Sequence, residues 1–316
     1  MSLASVLLPL LLGAALIQQE PTKAPPVFGV SIENVYIDAF VSQRGTPLPG
    51  LAASDFELRD NGVVQHLELA ASDAQPLLAV LAFDTSGSLL EGAKLAALKA
   101  ASQALLETLR PEDEATLMTF NDSIQWLAPP TTDKSAVRRA LDKLEVGGGT
   151  PVMDALYAAI TLPESRGRTL VVLFTDGVDN LSWLDGSQVQ LVAERSNALV
   201  QVVSLQPPVA TVAGSEGPLR FGNHMLPAQG TRSLEYESSF SLRQIAEATG
   251  GRYWEAESLD RLKTAFAAIA EAMGKRYVLR YVPENVTRPG WHKIELKLRG
   301  KKGDVHTRTG YWVADR

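Results

Sequence analysis

The chain contains no cysteine among its 316 residues. Without a thiol it cannot form a disulfide, use thiolate chemistry, build a zinc ribbon or carry a lipid anchor on cysteine. Its composition, 45% hydrophobic and 21% charged, is ordinary for a globular protein. The length is enough for one large or two modest domains with a substantial core.

Blocks of positive charge are also missing. The net charge is −6, with no run of Lys or Arg, which argues against a nucleic-acid partner. The sequence lacks a Walker-type phosphate loop, a supported Ser/His/Asp set and a dinucleotide-binding fingerprint. Four histidines are scattered without metal-ligand spacing, and we interpret each as a surface or strand residue: His66, His224, His292 and His306.

The N-terminal apolar run is too short to cross a membrane. Val6 to Ile17 falls below the about 20 residues that a spanning helix needs. Its length suits the core of a secretory signal, and Gly13-Ala14-Ala15 suits a cleavage site, although no Lys or Arg precedes the run. We predict that residues 1–26 are a signal peptide and linker, and that the mature chain is exported (periplasmic, cell-surface or extracellular) without a membrane span. An N-terminal helix or an uncleaved anchor is the alternative.

The most informative stretch is an apolar run that ends in hard-oxygen side chains. Pro76 to Phe83 leads directly into Asp84, Ser86 and Ser88, and a helical pattern follows. In open α/β sheets, ligands bind at the carboxyl ends of the strands. Carboxylate and hydroxyl oxygens suit Mg²⁺, Mn²⁺ or Ca²⁺ better than softer metals. The pattern therefore predicts a divalent-cation site at the end of this strand.

Two later segments supply further oxygens. Thr150 follows a run of glycines at the start of a helical pattern, and Asp176 ends a second buried strand, Leu170 to Thr175. Taken singly, these residues are typical of helix caps and turns. Together, and in this order, they favour one site built from three loops. We interpret Asp154 and Asp179 as structural or rim residues of that site.

This combination of D-x-S-x-S, a glycine-rich turn with threonine, and a strand ending in T-D-G resembles the von Willebrand factor A family. In that family the three loops form the metal-ion-dependent adhesion site. The resemblance implies that Asp84, Ser86 and Ser88 are the first loop, Thr150 the second and Asp176 the third. It covers about residues 75–275. The segment before it is similar to a module found ahead of the A domain in related bacterial proteins.

We predict an α/β fold for residues 74–275, with a doubly wound, mainly parallel, Rossmann-like sheet flanked by helices. Strand patterns alternate there with helical ones. Leu89 to Leu109 is predicted as one long helix, and Phe240 as the start of another. Gln206 to Ser238 is predicted as an irregular loop on the side of the metal site, either shaping the binding face or forming a disordered insertion.

Both flanks of this α/β part show strand patterns. Residues 27–73 contain a hairpin signal at Asp60-Asn61-Gly62, and residues 276–316 contain the alternating strand Trp291 to Leu298. Three strands alone make a thin unit, so we predict one small β-sandwich-like module built from both ends of the chain. Two separate β appendages are the alternative.

The resemblance implies a non-catalytic adhesion or scaffold module. A bound Mg²⁺ (or Mn²⁺ or Ca²⁺), which takes about six ligands, would keep a position for an Asp or Glu carboxylate of a protein partner. One alternative is a Mg²⁺-dependent phosphoryl-transfer enzyme with Asp84 as nucleophile. Against it, Ser86 stands where a second acid is usual, and no suitably placed lysine is evident. A regulatory subunit of a larger protein machine is the other alternative.

Overall fold

The structure of the protein is a computed structural model that describes nine stretches of the chain: residues 34–70, 76–90, 93–161, 168–176, 178–205, 219–221, 224–226, 228–286 and 289–313. The chain divides into two units, residues 1–32 and residues 33–316, and all nine stretches belong to the second. The signal peptide and linker predicted for residues 1–26 lie outside the described residues. No helix in the described stretches is long and apolar enough to cross a membrane.

The elements are numbered in chain order. The strands are β1 (Val35–Gln43), β2 (Thr46–Pro47), β3 (Phe56–Asp60), β4 (Val63–Gln65), β5 (Glu68–Leu69), β6 (Leu77–Asp84), β7 (Glu114–Phe120), β8 (Ile124–Thr131), β9 (Arg168–Thr175), β10 (Ala198–Ser204), β11 (Leu219–Phe221), β12 (His224–Leu226), β13 (Tyr253–Glu255), β14 (Tyr277–Tyr281), β15 (Gly290–Leu298), β16 (Asp304–Thr307) and β17 (Gly310–Val313). The α-helices are α1 (Lys94–Glu107), α2 (Lys134–Asp142), α3 (Val152–Thr161), α4 (Gly186–Arg195), α5 (Ala228–Ala248) and α6 (Leu259–Gly274). Short 3₁₀ turns occupy Ala53–Asp55 and Gly87–Leu90.

A six-stranded sheet runs through the α/β part in the order β8-β7-β6-β9-β10-β13. Neighbouring strands are parallel except β8, which is antiparallel to β7, so the sheet is mixed. Chain order reverses between β6 and β9, which makes the sheet doubly wound and places a topological switch point between these two strands. The predicted α/β fold is confirmed in this part of the chain.

Helices cover both faces of this sheet. β6 and β10 are buried along their whole length, which is why their sequences are mostly apolar. Successive side chains of a strand point to opposite faces. On one face Phe83 belongs to a core with Leu98 of α1 and Phe266 of α6. On the other, Val80 belongs to a core with Leu156 of α3.

Two helix starts differ from the prediction. The segment predicted as one helix from Leu89 begins instead with the 3₁₀ turn Gly87–Leu90, and α1 starts at Lys94. Gly92, a poor helix former, lies in the sequence between them. α5 begins at Ala228, not at Phe240, so its first turns replace part of the predicted loop, as does the antiparallel pair β11 and β12. Good helix formers such as Arg232, Leu234 and Glu235 fill this segment.

Strands from the two flanks pair with each other. One antiparallel sheet has the order β16-β1-β14-β5, with β2 added to β1, and the other has the order β17-β15-β3-β4. In the first, Ile37 of β1 faces Leu279 of β14, and in the second Leu58 of β3 faces Leu296 of β15. The flanking segments are therefore hydrogen-bonded partners. That the two sheets form a sandwich stays a prediction.

A buried polar cluster joins the two end sheets. Asp60 on β3 accepts hydrogen bonds from the hydroxyls of Tyr281 and Tyr311, each at 2.8 Å. Its other carboxylate oxygen lies 2.9 Å from Nδ1 of His292 on β15. Burial raises the pKa of both tyrosines, so they stay protonated as donors. β3, β14, β15 and β17 are thus linked through one carboxylate.

Candidate metal centre

The first predicted loop leaves β6 at the switch point of the sheet. Asp84, the last residue of β6, is fully buried. One of its carboxylate oxygens accepts a hydrogen bond from the backbone N–H of Ser86 at 2.9 Å. The other accepts from the hydroxyl of Thr175, the last residue of the adjacent strand β9, at 2.7 Å. Two neighbouring strands therefore fix the orientation of this carboxylate.

Both serines of the first loop connect to the third loop. The hydroxyl oxygens of Ser86 and Ser88 lie 3.0 Å apart. The Ser88 hydroxyl donates to one carboxylate oxygen of Asp176 at 2.6 Å. Asp176 follows β9 directly, and its carboxylate is fully buried. The structure thus brings together four of the five predicted ligands in one chain of oxygens along the carboxyl edge of β6 and β9.

Thr150, the fifth predicted ligand, lies on the adjoining loop just before α3 and is buried. Its backbone N–H donates to the side-chain oxygen of Asn180 at 2.9 Å, and its carbonyl accepts from the Asn180 N–H at 3.0 Å. The Gly147 N–H donates to the Thr85 carbonyl at 2.8 Å, which ties this loop to the first. In the described part of the chain, the Thr150 hydroxyl makes no hydrogen bond with the other four.

The two glycines before Thr150 leave room for neighbouring side chains. Gly148 has a φ of +86°, and a Cβ there would lie 2.7 Å from Cγ of Asp122. Asp122 accepts a hydrogen bond from the Gly149 N–H at 2.8 Å. A Cβ on Gly149 would lie 2.4 Å from a methyl carbon of Leu181. The close contacts of these two glycines are therefore with Asp122 and Leu181.

Lys94 is the residue that the sequence did not reveal. Its ammonium lies 2.9 Å from the second carboxylate oxygen of Asp176 and donates to the Ser88 carbonyl at 3.1 Å. The sequence showed no suitably placed lysine, and the structure places this one at Asp176 and not at Asp84. The only signal in the sequence is its position at the start of α1, close behind the first loop. A positive charge already accompanies Asp176, while Asp84 has no such partner among its hydrogen bonds.

Burial dominates the electrostatics of Asp84. It raises the pKa of this carboxyl to about 6, and the negative charge of Asp176 raises it further, against the opposing hydrogen bonds from Thr175 and Ser86. A carboxylate that is ionised at neutral pH in such surroundings is stabilised by any cation that comes within reach.

The weaker acidic candidates hold backbone in place. Asp154 accepts hydrogen bonds from the N–H groups of Trp183 and Leu184, each at 3.0 Å. Asp179 accepts from the Met153 N–H at 2.9 Å and thereby caps the start of α3. These contacts stabilise residues 178–185, the segment that lies beside the candidate site. Asp154 and Asp179 thus shape its rim through backbone contacts.

The donor set fits a hard divalent cation. It contains two carboxylates and three hydroxyls, and oxygen ligands of this kind suit Mg²⁺, Mn²⁺ and Ca²⁺. Within the described stretches no group of three or more His, Cys, Asp or Glu side chains could hold a metal. The candidate site therefore depends on its hydroxyls, and Lys94 is the charge with which a metal would share Asp176.

The sequence relatives of this chain are distant, and the matches cover only part of each protein. A "UPF0353 protein" of Mycolicibacterium paratuberculosis is 24% identical over 57% of this chain and 54% of that protein. Another of Mycobacterium leprae is 23% identical over 62% of this chain and 60% of that protein. The chain thus spans about half the length of the curated relatives that it matches.

Among solved structures, a von Willebrand factor type A protein from Catenulispora acidiphila covers 89% of this chain and 74% of its own, at 14% identity and a TM-score of 0.49. An aerotolerance-related membrane protein from Bacteroides fragilis covers 63% and 99%, at 18% identity and a TM-score of 0.46. Proximal thread matrix protein 1 of the mussel byssus, with a zinc-occupied MIDAS motif, covers 67% and 49%, at 15% identity and a TM-score of 0.48. With TM-scores below 0.5, these likenesses carry no weight of their own.

A family match identifies the part of the chain that carries the candidate site. Residues 79–178 match the von Willebrand factor type A domain. The matched range begins inside β6, ends just after β9, and contains all five predicted ligands. This part of the chain is therefore similar to a von Willebrand factor type A domain.

Proposed function

We propose that the chain is a non-catalytic, metal-dependent protein-binding module. In this proposal Asp84, Ser86, Ser88, Thr150 and Asp176 hold Mg²⁺, or Mn²⁺ or Ca²⁺ in its place. The observation that carries it is the continuous chain of oxygens from Ser86 through Ser88 to Asp176, beside the buried Asp84 at the switch point. When bound, the cation supplies a coordination position for an Asp or Glu carboxylate of a protein partner.

Charge balance supports a role in ligation. Ser86, Ser88 and Thr150 offer neutral oxygens, so only Asp84 and Asp176 offset the charge of a divalent ion. Asp176 already shares its charge with Lys94. Two carboxylates balance a divalent ion, and the nearby ammonium of Lys94 then adds the positive charge that attracts a partner carboxylate.

Lys94 occupies a carboxylate oxygen of Asp176 that a metal ion could use. Its ammonium contacts the Asp176 oxygen that Ser88 leaves unused. An ion that needs this oxygen must displace the ammonium. About 21% of the lysine side chain is exposed, and its long stem can carry the ammonium to water once Asp176 is released. Lys94 thus stabilises the metal-free site and competes with the ion.

The surroundings of the site favour a protein partner. Trp183 is 95% exposed, Leu90 is 70% exposed and Leu181 is 46% exposed. Single exposed apolar residues are common, but tryptophan is usually well buried. Trp183 is held in place through its backbone by Asp154, and Leu181 lies against Gly149, next to Thr150. Exposed tryptophans often dominate the energy of protein interfaces.

The burial of Asp84 argues against phosphoryl transfer. A nucleophilic carboxylate must reach the phosphorus atom of its substrate directly. Asp84 is fully buried, so a small ion can approach it more easily than a phosphate ester can. We therefore propose a binding role, in the exported location that the sequence of residues 1–26 predicts. A regulatory subunit would use the same site, and only the identity of its partner would differ.

Water-proton relaxation of bound Mn²⁺ tests this function. We expect the full chain to bind Mn²⁺ with enhanced relaxation, because the ion keeps water. A short peptide that contains one aspartate should replace that water and lower the enhancement. The same peptide with asparagine is the matched control and should have no effect. Relaxation that the two peptides change equally would contradict the proposed coordination of a partner carboxylate.

A further inference from the structure

A cleft lies between the end strands and the α/β part, and its lining includes none of the five candidate metal ligands. It has a volume of about 130 Å³. Its walls come from β1, β10, β13, α6 and β16, so residues far apart in the sequence meet there. The walls include two aromatic side chains, Phe40 and Trp254, and three basic ones, Arg252, Arg276 and His306.

Arg276 brings an incompletely paired charge to this cleft. Its side chain is only 2% exposed. One of its terminal nitrogens donates to the carbonyls of Asp38 and Gly250, at 3.2 and 3.5 Å. Its Nε has no hydrogen-bond partner among the described residues. Burial lowers the pKa of this guanidinium to about 10, so it remains charged at neutral pH. An uncompensated donor at such depth needs a partner.

The nearest acid is already occupied. Asp38 lies 3.8 Å from the Arg276 Nε, which is too long for a hydrogen bond. Its carboxylate instead accepts from two nitrogens of Arg168, one of them Nε at 2.9 Å. Two guanidiniums, the buried one of Arg276 and the partly buried one of Arg168, thus lie beside one carboxylate. The cluster carries one positive charge in excess.

Arg252 adds a second positive charge to the cleft, whereas His306 lines it as a ring whose pKa is lowered. Arg252 stacks over the ring of Trp254, 4.3 Å from its centroid, and both residues line the cleft. Burial lowers the pKa of His306, and the charges of Arg252 and Arg276 lower it further. The acidic residue in the wall, Glu271, lies 2.6 Å from the ammonium of Lys275. Its charge is therefore offset outside the cleft.

We propose that this cleft binds a small oxyanion, a carboxylate or a phosphate, between the unpaired Nε of Arg276, the guanidinium of Arg252 and the ring of His306. Planar guanidiniums match the geometry of both anions. The volume suits a small ion or the acidic end of a larger molecule, with Phe40 and Trp254 as apolar walls. The site is independent of the metal centre and joins the end strands to the α/β part.

Calorimetric titration of the full chain with inorganic phosphate, and separately with acetate, tests this site at constant ionic strength. We expect saturable binding of at least one anion, and the stronger of the two identifies the ligand class. Arg252→Gln should weaken it about tenfold, because a charge-assisted hydrogen bond is lost. Arg243→Gln is the matched control, since Arg243 also stacks on an aromatic ring of β13, Tyr253, but lies outside the cleft.

A second measurement locates the anion. In proton NMR spectra the ring signals of His306, assigned with His306→Gln, should shift with phosphate or acetate, while those of His66 should not. Arg276→Gln should abolish binding, and if that variant does not fold, Arg252→Gln decides alone. Binding of neither anion would overturn the proposal. Equal affinity in wild type, Arg252→Gln and Arg243→Gln would overturn it as well.

Discussion

Asp60 and Asp84 each end a strand and are each fully buried, but their carboxylates meet different surroundings. Asp60 meets three side chains from three strands, two tyrosines and one histidine. Asp84 meets one backbone N–H and one hydroxyl, with the like charge of Asp176 nearby. The first carboxylate completes a closed network between packed strands, whereas the second lies at an edge where ligands bind.

Their different surroundings suit the two carboxylates to different roles, Asp60 to folding and Asp84 to binding. A buried acid that is fully hydrogen-bonded holds a structure together, because removing it leaves its donors unpaired. A buried acid near a second acid strains the metal-free protein and is relieved by a cation. The same residue type therefore stabilises the end strands and prepares the α/β edge for a ligand. Substitutions at the two positions should act in opposite directions.

The largest effect is expected at Asp60. Asp60→Ala leaves Tyr281, Tyr311 and His292 without their shared acceptor, so the free energy of unfolding should fall by about 3–5 kcal/mol. Urea denaturation of the full chain measures it. Asp304→Ala, at an exposed position of β16, is the control and should change stability by less than about 0.5 kcal/mol. If Asp60→Ala lowered the free energy of unfolding no more than Asp304→Ala, the buried polar cluster around Asp60 would not stabilise the fold.

At Asp84 we expect the opposite effect in the metal-free chain: removal of the carboxylate should raise the free energy of unfolding at neutral pH. The folded pKa of about 6 lies above the ordinary 3.8, so the folded state holds the proton more tightly between these values. This contribution to stability is lost as pH rises from about 4 to 6, and above 6 the ionised group costs roughly 3 kcal/mol.

Asp84→Asn should therefore stabilise the chelator-treated chain at pH 7.5 by about 1–3 kcal/mol, with the gain vanishing below about pH 4. Urea denaturation at several pH values measures the difference between variant and wild type. A variant that is less stable than wild type at pH 7.5 would show that Asp84, like Asp60, mainly holds the fold together.

Lys94→Met tests the role of the counter-charge of Asp176 at the carboxyl ends of β6 and β9. Loss of the ammonium leaves Asp176 without its counter-charge, so the metal-free chain should lose about 1–3 kcal/mol of stability. A divalent cation then no longer competes with lysine, and its affinity should rise about tenfold. Calorimetry of Mn²⁺ binding measures the change.

Lys99→Met is the matched control for that experiment. Lys99 also lies on α1, but its ammonium donates to the Asp142 carbonyl, away from the site. This variant should leave Mn²⁺ affinity unchanged. Equal affinities of the Lys94 and Lys99 variants would mean that Lys94 does not compete with the ion.

The smallest effect is expected at Trp183. Since its side chain is 95% exposed, Trp183→Ala should change the free energy of unfolding by less than about 0.5 kcal/mol. Mn²⁺ affinity should also stay as in wild type, because no predicted ligand depends on the indole. Urea denaturation and calorimetry check both points. A loss of more than about 1 kcal/mol would give Trp183 a structural role instead of a place on the binding face.

Local patterns predicted much of the α/β part. Continuous apolar runs identified β6 and β9, and strand-to-loop transitions placed Asp84 and Asp176 at one edge. These features depend on neighbours in the sequence and on a general rule of sheet topology. The start of α5 was missed because Gly222, Pro227 and Gly230 suggested a loop across a segment that becomes helical from Ala228.

Contacts between distant residues were beyond the sequence. Lys94 meets Asp176 across 82 positions, and Asp60 meets Tyr311 across 251. Neither pair shares a local pattern, because tertiary packing alone decides which side chains meet. The glycines before Thr150 were recognised, but their neighbours Asp122 and Leu181 come from other loops. The sequence therefore predicted the position of Asp84 and Asp176 at the carboxyl ends of β6 and β9, but not the lysine beside Asp176.

The most direct test of the metal centre is calorimetric titration of Mg²⁺ and Mn²⁺ into the full chain, beside Asp84→Asn and the control Asp185→Asn. Asp185 is an exposed aspartate that caps α4, away from the five candidate ligands. We predict that wild type and Asp185→Asn bind the cations saturably and that Asp84→Asn does not bind them. Equal binding by all three proteins, or no binding even by Lys94→Met, would contradict a divalent-cation site at the switch point.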